Sequence, residues 1–499
     1  MPPLDPIARP GVGALRGRRS GGVLRFDGVP FAPAPIGAAR FRAPGAAPHW
    51  QGLRSAQALR AGPLQRPGPA LGTRPVGATS EDCLHLNVVT PSTEGARPVM
   101  VWIHGGGFTN GWAADPIHAG GRLVARGDVV LVTLDYRLGA LGWLHDPEVP
   151  ERCNVGLRDQ LAALHWVQAN IDAFGGDPAR VTLFGESAGA MSILALMGTP
   201  AADDLFSAAI LQSGAVGGLQ GPDRAAEVHA RFAAALATDD PRAWATLPAA
   251  TLLDAQGTVG EAFRRSTGRG AWRPLLDGDL VATAALEAQE RPVNLRRPLL
   301  LGTNRDEQRL FVNLRVRLDA AQARARLAAA LERRAPGAGA AAEEVLAAYA
   351  AHGAGATHAE RLSAVFTDLH YRLQALAIAA RRAEAGAETW LYRFDRPSPA
   401  LRGRLGACHA LEIPFVLGTL DAPGMERFAG SDDAARRLSE RMIDRWSAFA
   451  RDGRPGADWA PWLPSARQCW IAADAPGCRD DVDDALLELW PRLLPDLGL

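Results

Sequence analysis

Val181-Thr182-Leu183-Phe184-Gly185-Glu186-Ser187-Ala188-Gly189-Ala190 is the stretch that decides how this chain folds. An apolar run of strand length meets Gly-X-Ser-X-Gly and then helix formers, the pattern of a sharp strand-to-helix turn. The two glycines fit because a Cβ at either position would crowd so tight a turn. Such a turn lifts the Ser187 hydroxyl above the sheet, where it becomes a candidate nucleophile toward an acyl carbon.

Outward from the elbow, Val99-Met100-Val101-Trp102-Ile103-His104-Gly105-Gly106-Gly107-Phe108 is a second buried strand that runs into a glycine-rich turn. Backbone N–H groups of such a turn can face a developing oxyanion. Further strands are expected at 84–90, 98–104, 128–135, 181–186, 207–212, 298–303 and 389–395, and short strands and turns at 21–44. Leu157, Leu161, Leu164, Val167 and Ile171 recur at helical spacing and predict a helix over 156–173. The Ala- and Arg-rich runs 317–352 and 359–386 also read as helices, and 62–80 reads as a Pro/Gly-rich loop.

Three stretches carry a resemblance: Ser80-Glu81-Asp82-Cys83-Leu84-His85-Leu86-Asn87-Val88, then His104 to Phe108, and the block Asn154 to Ala190. Landmarks from Arg40-Phe41-Arg42 to Phe449-Ala450-Arg451 and Trp459 extend it over nearly the whole chain. The chain resembles the type-B carboxylesterases, the carboxylesterase/cholinesterase family of the α/β-hydrolase superfamily. The resemblance implies an α/β fold: a central, mostly parallel twisted sheet flanked by helices, in one domain over 1–499 with helical insertions at roughly 317–386 over the site. It also implies hydrolysis of small to medium uncharged carboxylic esters through an acyl-enzyme. By the same resemblance Gly106, Gly107 and Ala188 form the oxyanion hole, and Ser213 hydrogen-bonds the catalytic acid. Arg40 with Glu81, and Arg137 with Asp159, then match ion pairs that hold the site-forming loops.

The remaining triad members should follow Ser187 in the order acid, then histidine. His409 lies in Ala407-Cys408-His409-Ala410-Leu411-Glu412-Ile413-Pro414-Phe415, which resembles the family's histidine loop. His370 is its rival, placed inside an expected helix. For the acid, Arg297 to Glu307 reads as a buried strand entering a polar loop; the family pattern puts the carboxylate at Glu307, and Asp306 beside it is chemically sufficient. Relatives commonly carry glycine next, where this chain has Gln308. Glu186 has two readings, a charge that shapes the field of the site or simple packing of the turn.

Composition narrows the chemistry. Basic and acidic residues balance at 54 each, leaving no electrostatic pull toward nucleic acid or an anionic membrane. No lysine occurs, so Schiff-base chemistry and a lysine general base are excluded. Neither Cys-X-X-Cys nor His-Glu-X-X-His is present, and no metal or cofactor is expected. The N-terminal residues lack the apolar core of a signal peptide, no later run offers about 18 apolar residues for a membrane span, and a cytoplasmic enzyme is the simplest reading. Five cysteines cannot all pair within one chain, and Cys83 is expected as a buried free thiol.

Phe108, Trp112, Trp272, Phe311, Phe366 and Phe415 are candidates for an apolar pocket or for core. Loop 62–80 has no aromatic residue, which removes the best candidate for cation–π recognition of choline. Two other readings stand beside the esterase: an acyltransferase or amidase with the same triad, and a non-catalytic binding protein on the same fold.

Overall fold

The computed structural model describes residues 5–66, 78–146, 149–214, 216–238, 240–267, 270–312, 317–480 and 484–495. Its centre is a sheet of eleven strands: β1 (Arg18–Ser20), β2 (Val23–Pro30), β3 (His85–Thr90), β4 (Arg97–Ile103), β5 (Val130–Leu134), β6 (Gly176–Glu186), β7 (Ala208–Gln212), β8 (Leu299–Asn304), β9 (Thr389–Phe394), β10 (Cys469–Ala472) and β11 (Gly477–Arg479). The spatial order is β11-β10-β9-β8-β7-β6-β4-β5-β3-β2-β1. The block from β5 through β4 and β6 to β10 is parallel, while β1, β2, β3 and β11 join antiparallel. This is the mostly parallel sheet of an α/β-hydrolase, as expected.

Side-chain alternation explains why the sheet is covered on both faces. In β4, Val99, Val101 and Ile103 pack into one core while Met100 and Trp102 pack into the other, and β6 splits likewise with Val181 and Leu183 opposite Phe184. The helix α1 (Val155–Asn170), continued by a 3-10 turn at Ile171–Phe174, and α2 (Ala188–Met197) lie over the first face. The amphipathic α3 (Asp433–Asp452) covers the second with Leu438, Met442, Ile443, Trp446 and Phe449.

Strand positions agree with expectation to within two residues at most ends, except that β6 begins at Gly176, ahead of a register shift between Gly176 and Val181. The region expected to be helical resolves into α4 (Ala320–Glu332), α5 (Ala342–Ala351), α6 (His358–Thr367) and α7 (Leu373–Glu384). A π-turn, Asp368–Arg372, interrupts it between α6 and α7, which helical periodicity did not predict. These helices build a third core with Leu327, Val345, Leu362 and Leu369, closed by Trp490. Most of loop 62–80 lies outside the described residues; at its ends Gly62–Pro63 pairs with Thr79–Ser80.

Candidate active site

The site sits where β4, β6, β7 and β8 end. At the end of β6 the chain turns into α2 through Ser187, whose backbone takes φ 55° and ψ −118°, a costly conformation for a residue with a Cβ. The Ser187 N–H donates to the Gln212 carbonyl at the end of β7 (2.9 Å), which holds the turn. The motif glycines are explained by proximity to β4: a Cβ on Gly185 would come within 2.6 Å of the Ile103 carbonyl oxygen, and one on Gly189 still closer. Ser187 is partly exposed between buried neighbours.

The glycine turn after β4 is braced from behind. The Tyr136 hydroxyl donates to the His104 carbonyl (2.8 Å), Gln65 exchanges two hydrogen bonds with the Gly111 backbone, and Gly139 N–H donates to the Phe108 carbonyl. Burial lowers the His104 imidazole to about 3, so the ring is a neutral structural group. Gly106 and Gly107 are exposed, and their N–H groups find no acceptor among the described residues. Ala188 opens α2, where the N–H groups of the first turn have no helical partner. All three expected oxyanion donors are therefore uncommitted to protein acceptors.

Beyond β8 the two candidate acids separate. Glu307 is fully buried; its Oε1 accepts from Ser213 Oγ (2.6 Å) and Asn304 N–H (2.8 Å), and its Oε2 lies 2.7 Å from His409 Nδ1. Asp306 turns away, accepting from Ala407 N–H (2.9 Å) and pairing with Arg305 and Arg309. Both acids thus serve the histidine loop, one through the ring and the other through the backbone. His370 does not meet the site acid: its Nδ1 lies 3.3 Å from Gln308 Nε2, in the π-turn.

The far end of the His409 ring reaches the elbow. Its Nε2 is 2.9 Å from Glu186 Oε1, although that oxygen lies off the N–H direction and has no aligned donor. Ser187 Oγ makes no hydrogen bond to a described residue, so the serine–histidine contact expected from sequence is not closed in this state. Such contacts are commonly long before substrate arrives. Burial opposes the imidazolium, but the Glu186 and Glu307 carboxylates outweigh it and hold the pKa well above 6.5. Burial raises Glu186 in turn, against the pull of His409.

Several contributors were not singled out from sequence. Glu412 accepts from Gln212 Nε2 (3.0 Å) and Asn304 Nδ2 (2.6 Å), so it links the two residues whose backbones hold Ser187 and Glu307. Burial first, then Glu186 and Glu307, push its carboxyl up to about 8. Its position three residues after His409 was the available signal. Of the aromatic candidates for pocket or core, Phe108, Trp272 and Phe415 belong to the core. Phe311 is 58% exposed with its ring 5.0 Å from that of His409, Trp112 packs by Gly62, and Phe366 stacks on His370. The ion pairs Arg40–Glu81 (2.5 Å) and Arg137–Asp159 (2.6 Å) form as expected.

A family model described as the carboxylesterase family matches residues 5–484. The chain belongs to that family. It is 37% identical over 470 residues to the para-nitrobenzyl esterase of Bacillus subtilis (strain 168), covering 90% of each chain. It is 36% identical over 479 residues to the phenmedipham hydrolase of Pseudarthrobacter oxydans, covering 93% of each. A solved PNB esterase structure superposes with a TM-score of 0.87 at 33% identity, covering 98% of this chain and all of that one. This carboxylesterase is accordingly a serine hydrolase acting on esters.

Proposed function

We propose that Ser187, His409 and Glu307 are the catalytic triad and that Gly106, Gly107 and Ala188 form the oxyanion hole. The observation that carries this reading is the Glu307 carboxylate: two donors fix it and its second oxygen meets His409 Nδ1, so the ring is oriented with Nε2 toward the elbow. His409 takes the Ser187 proton as the hydroxyl oxygen attacks the ester carbon, and Glu307 stabilises the imidazolium. The tetrahedral oxyanion draws the three backbone N–H groups. On collapse the bond to the alcohol oxygen breaks, His409 returns the proton to it, and water repeats the sequence on the acyl-enzyme.

The preferred substrates are small to medium uncharged esters, a reading supported by zero net charge and by relatives named for para-nitrobenzyl esters and phenmedipham. The chain works as one hydrolase domain with its helical insertion. It works in the cytoplasm, supported by five free thiols and by the absence, among the described residues, of a helix long and apolar enough to cross a membrane. A fluorophosphonate should label one serine, and peptide mapping should place it at 187. Labelling elsewhere, or kcat/KM for butyrylcholine at or above that for an aryl butyrate, would overturn the corresponding part. Added alcohol in the same assay reveals any acyl transfer.

A further inference from the structure

The chain has four tyrosines, and two of their hydroxyls are engaged by hydrogen bonds within the fold. Tyr136 donates to the His104 carbonyl and Tyr349 donates to Asp368 Oδ2 (2.5 Å), while the Tyr392 hydroxyl is enclosed in the core, out of reach of any substrate and without a partner among the described residues. Tyr371 stands apart. Its ring centroid lies 5.2 Å from that of His409, tilted by 46°, the residue is 8% exposed, and its hydroxyl has no hydrogen-bond partner among the described residues. The Tyr371 hydroxyl is not sealed from solvent, so water can satisfy it until an acceptor on a bound substrate takes that place.

The local structure that delivers it is built from several directions. Tyr371 belongs to the π-turn Asp368–Arg372, a distortion that recurs at functional sites because the wider turn re-aims side chains. Asp368 at its start accepts from Tyr349 and pairs with Arg372 (3.2 Å). Thr367 Oγ1 just before it accepts the Gln308 N–H (3.1 Å), and Gln308 Nε2 approaches His370 Nδ1. The acid loop and the third core therefore both grip the turn. Burial pushes the phenol up to about 12, against the opposing pull of His409, so it stays protonated and able to donate at neutral pH.

We propose that the Tyr371 hydroxyl is a substrate hydrogen-bond donor on the alcohol side of the ester, favouring esters whose alcohol part carries an acceptor oxygen. The side follows from the chemistry: His409 must hand its proton to the leaving oxygen, so a group packed on that imidazole borders the leaving alcohol. The proposal rests on the triad reading above. It adds a residue that selects among esters.

The test compares 2-methoxyethyl butyrate with butyl butyrate, which differ by one ether oxygen in place of a methylene. Tyr371→Phe keeps the ring and removes the donor, and the methoxyethyl-to-butyl ratio of kcat/KM should fall about fivefold, the size of one neutral hydrogen bond. An unchanged ratio overturns the proposal. Should the variant fail to fold, wild-type enzyme answers through acyl transfer: the butyryl-enzyme should be captured faster by 2-methoxyethanol than by 1-butanol, and equal capture overturns it. Failure of the fluorophosphonate to label Ser187 would instead count against the triad reading, which keeps the two outcomes distinct.

Discussion

The groups that surround His409 come from two regions built on different physics. Ser187, Glu186, Ser213 and Glu307 sit at the ends of parallel strands, where backbone hydrogen bonds and both cores fix them; Glu186, Ser213 and Glu307 are almost fully buried. Tyr371 arrives from a helical excursion with its own small core, held to the acid loop through Gln308. The difference teaches how labour is divided. The groups proposed to make and break bonds, which need closely held geometry, stand on the sheet, while the group proposed to rank substrates stands on the attachment, where change is tolerated.

The sharpest way to break that comparison is to remove the strand-end groups. Ser187→Ala or His409→Ala should each lower kcat by about 10⁴-fold or more with the melting temperature nearly kept, because the pair acts as a unit. Retention of a tenth of wild-type turnover would defeat the assignment. Glu307→Gln should follow at about 10³- to 10⁴-fold, since it removes the charge behind the imidazolium. Asp306→Asn should cost about tenfold or less, because that carboxylate serves the Ala407 backbone and arginines, not the ring. Steady-state kinetics in the reverse order would move the acid to Asp306.

Glu186 and Glu307 sharpen the comparison within the sheet region itself. Glu307 is satisfied by aligned donors, whereas Glu186 Oε1 lies 2.9 Å from His409 Nε2 without one, so Glu186 acts on the ring through charge. In the proposed mechanism His409 must be neutral to take the serine proton, and its pKa is held above the ordinary value, so activity should be lost as pH falls through that raised value. Removing the Glu186 charge lowers the pKa. Glu186→Gln should therefore shift the acid limb of the kcat/KM profile to lower pH, and a limb that stays in place would leave Glu186 as mere turn packing.

The two regions also differ in how far they were legible in the sequence. Ser187 was readable from a local pattern with a steric reason, strand then turn then polar residue, and a strand entering a polar loop narrowed the acid to Asp306 or Glu307; the choice of Glu307, and His409 and Ser213 with it, came from the family resemblance, and the structure brings these three into hydrogen-bonded contact. The alternation of Val99, Val101 and Ile103 with Met100 and Trp102 likewise left little freedom for β4. Tyr371 carried no such signal. Its helical periodicity is ordinary, the π-turn is set by tertiary contacts from Gln308 and Tyr349, and its distance from His409 in sequence hides their contact. Gln308 stood out only as a departure from the family, and its side-chain amide lies 3.3 Å from His370 Nδ1, a contact that glycine could not make.

The smallest effect tests the bond between Gln308 and Thr367. Thr367 is 1% exposed and its Oγ1 accepts the Gln308 N–H, so Thr367→Val keeps the shape and removes one acceptor. The N–H left behind is only half-buried, and water replaces part of what is lost. Stability should fall by about 1 kcal/mol in denaturant titration. Glu307 keeps Ser213, Asn304 and His409, none of which passes through Thr367, so kcat should fall less than about fivefold. A hundredfold loss of kcat in a folded Thr367→Val protein would mean that the helical excursion places the acid, and the division between a sheet that holds the chemistry and an attachment that ranks substrates would fail.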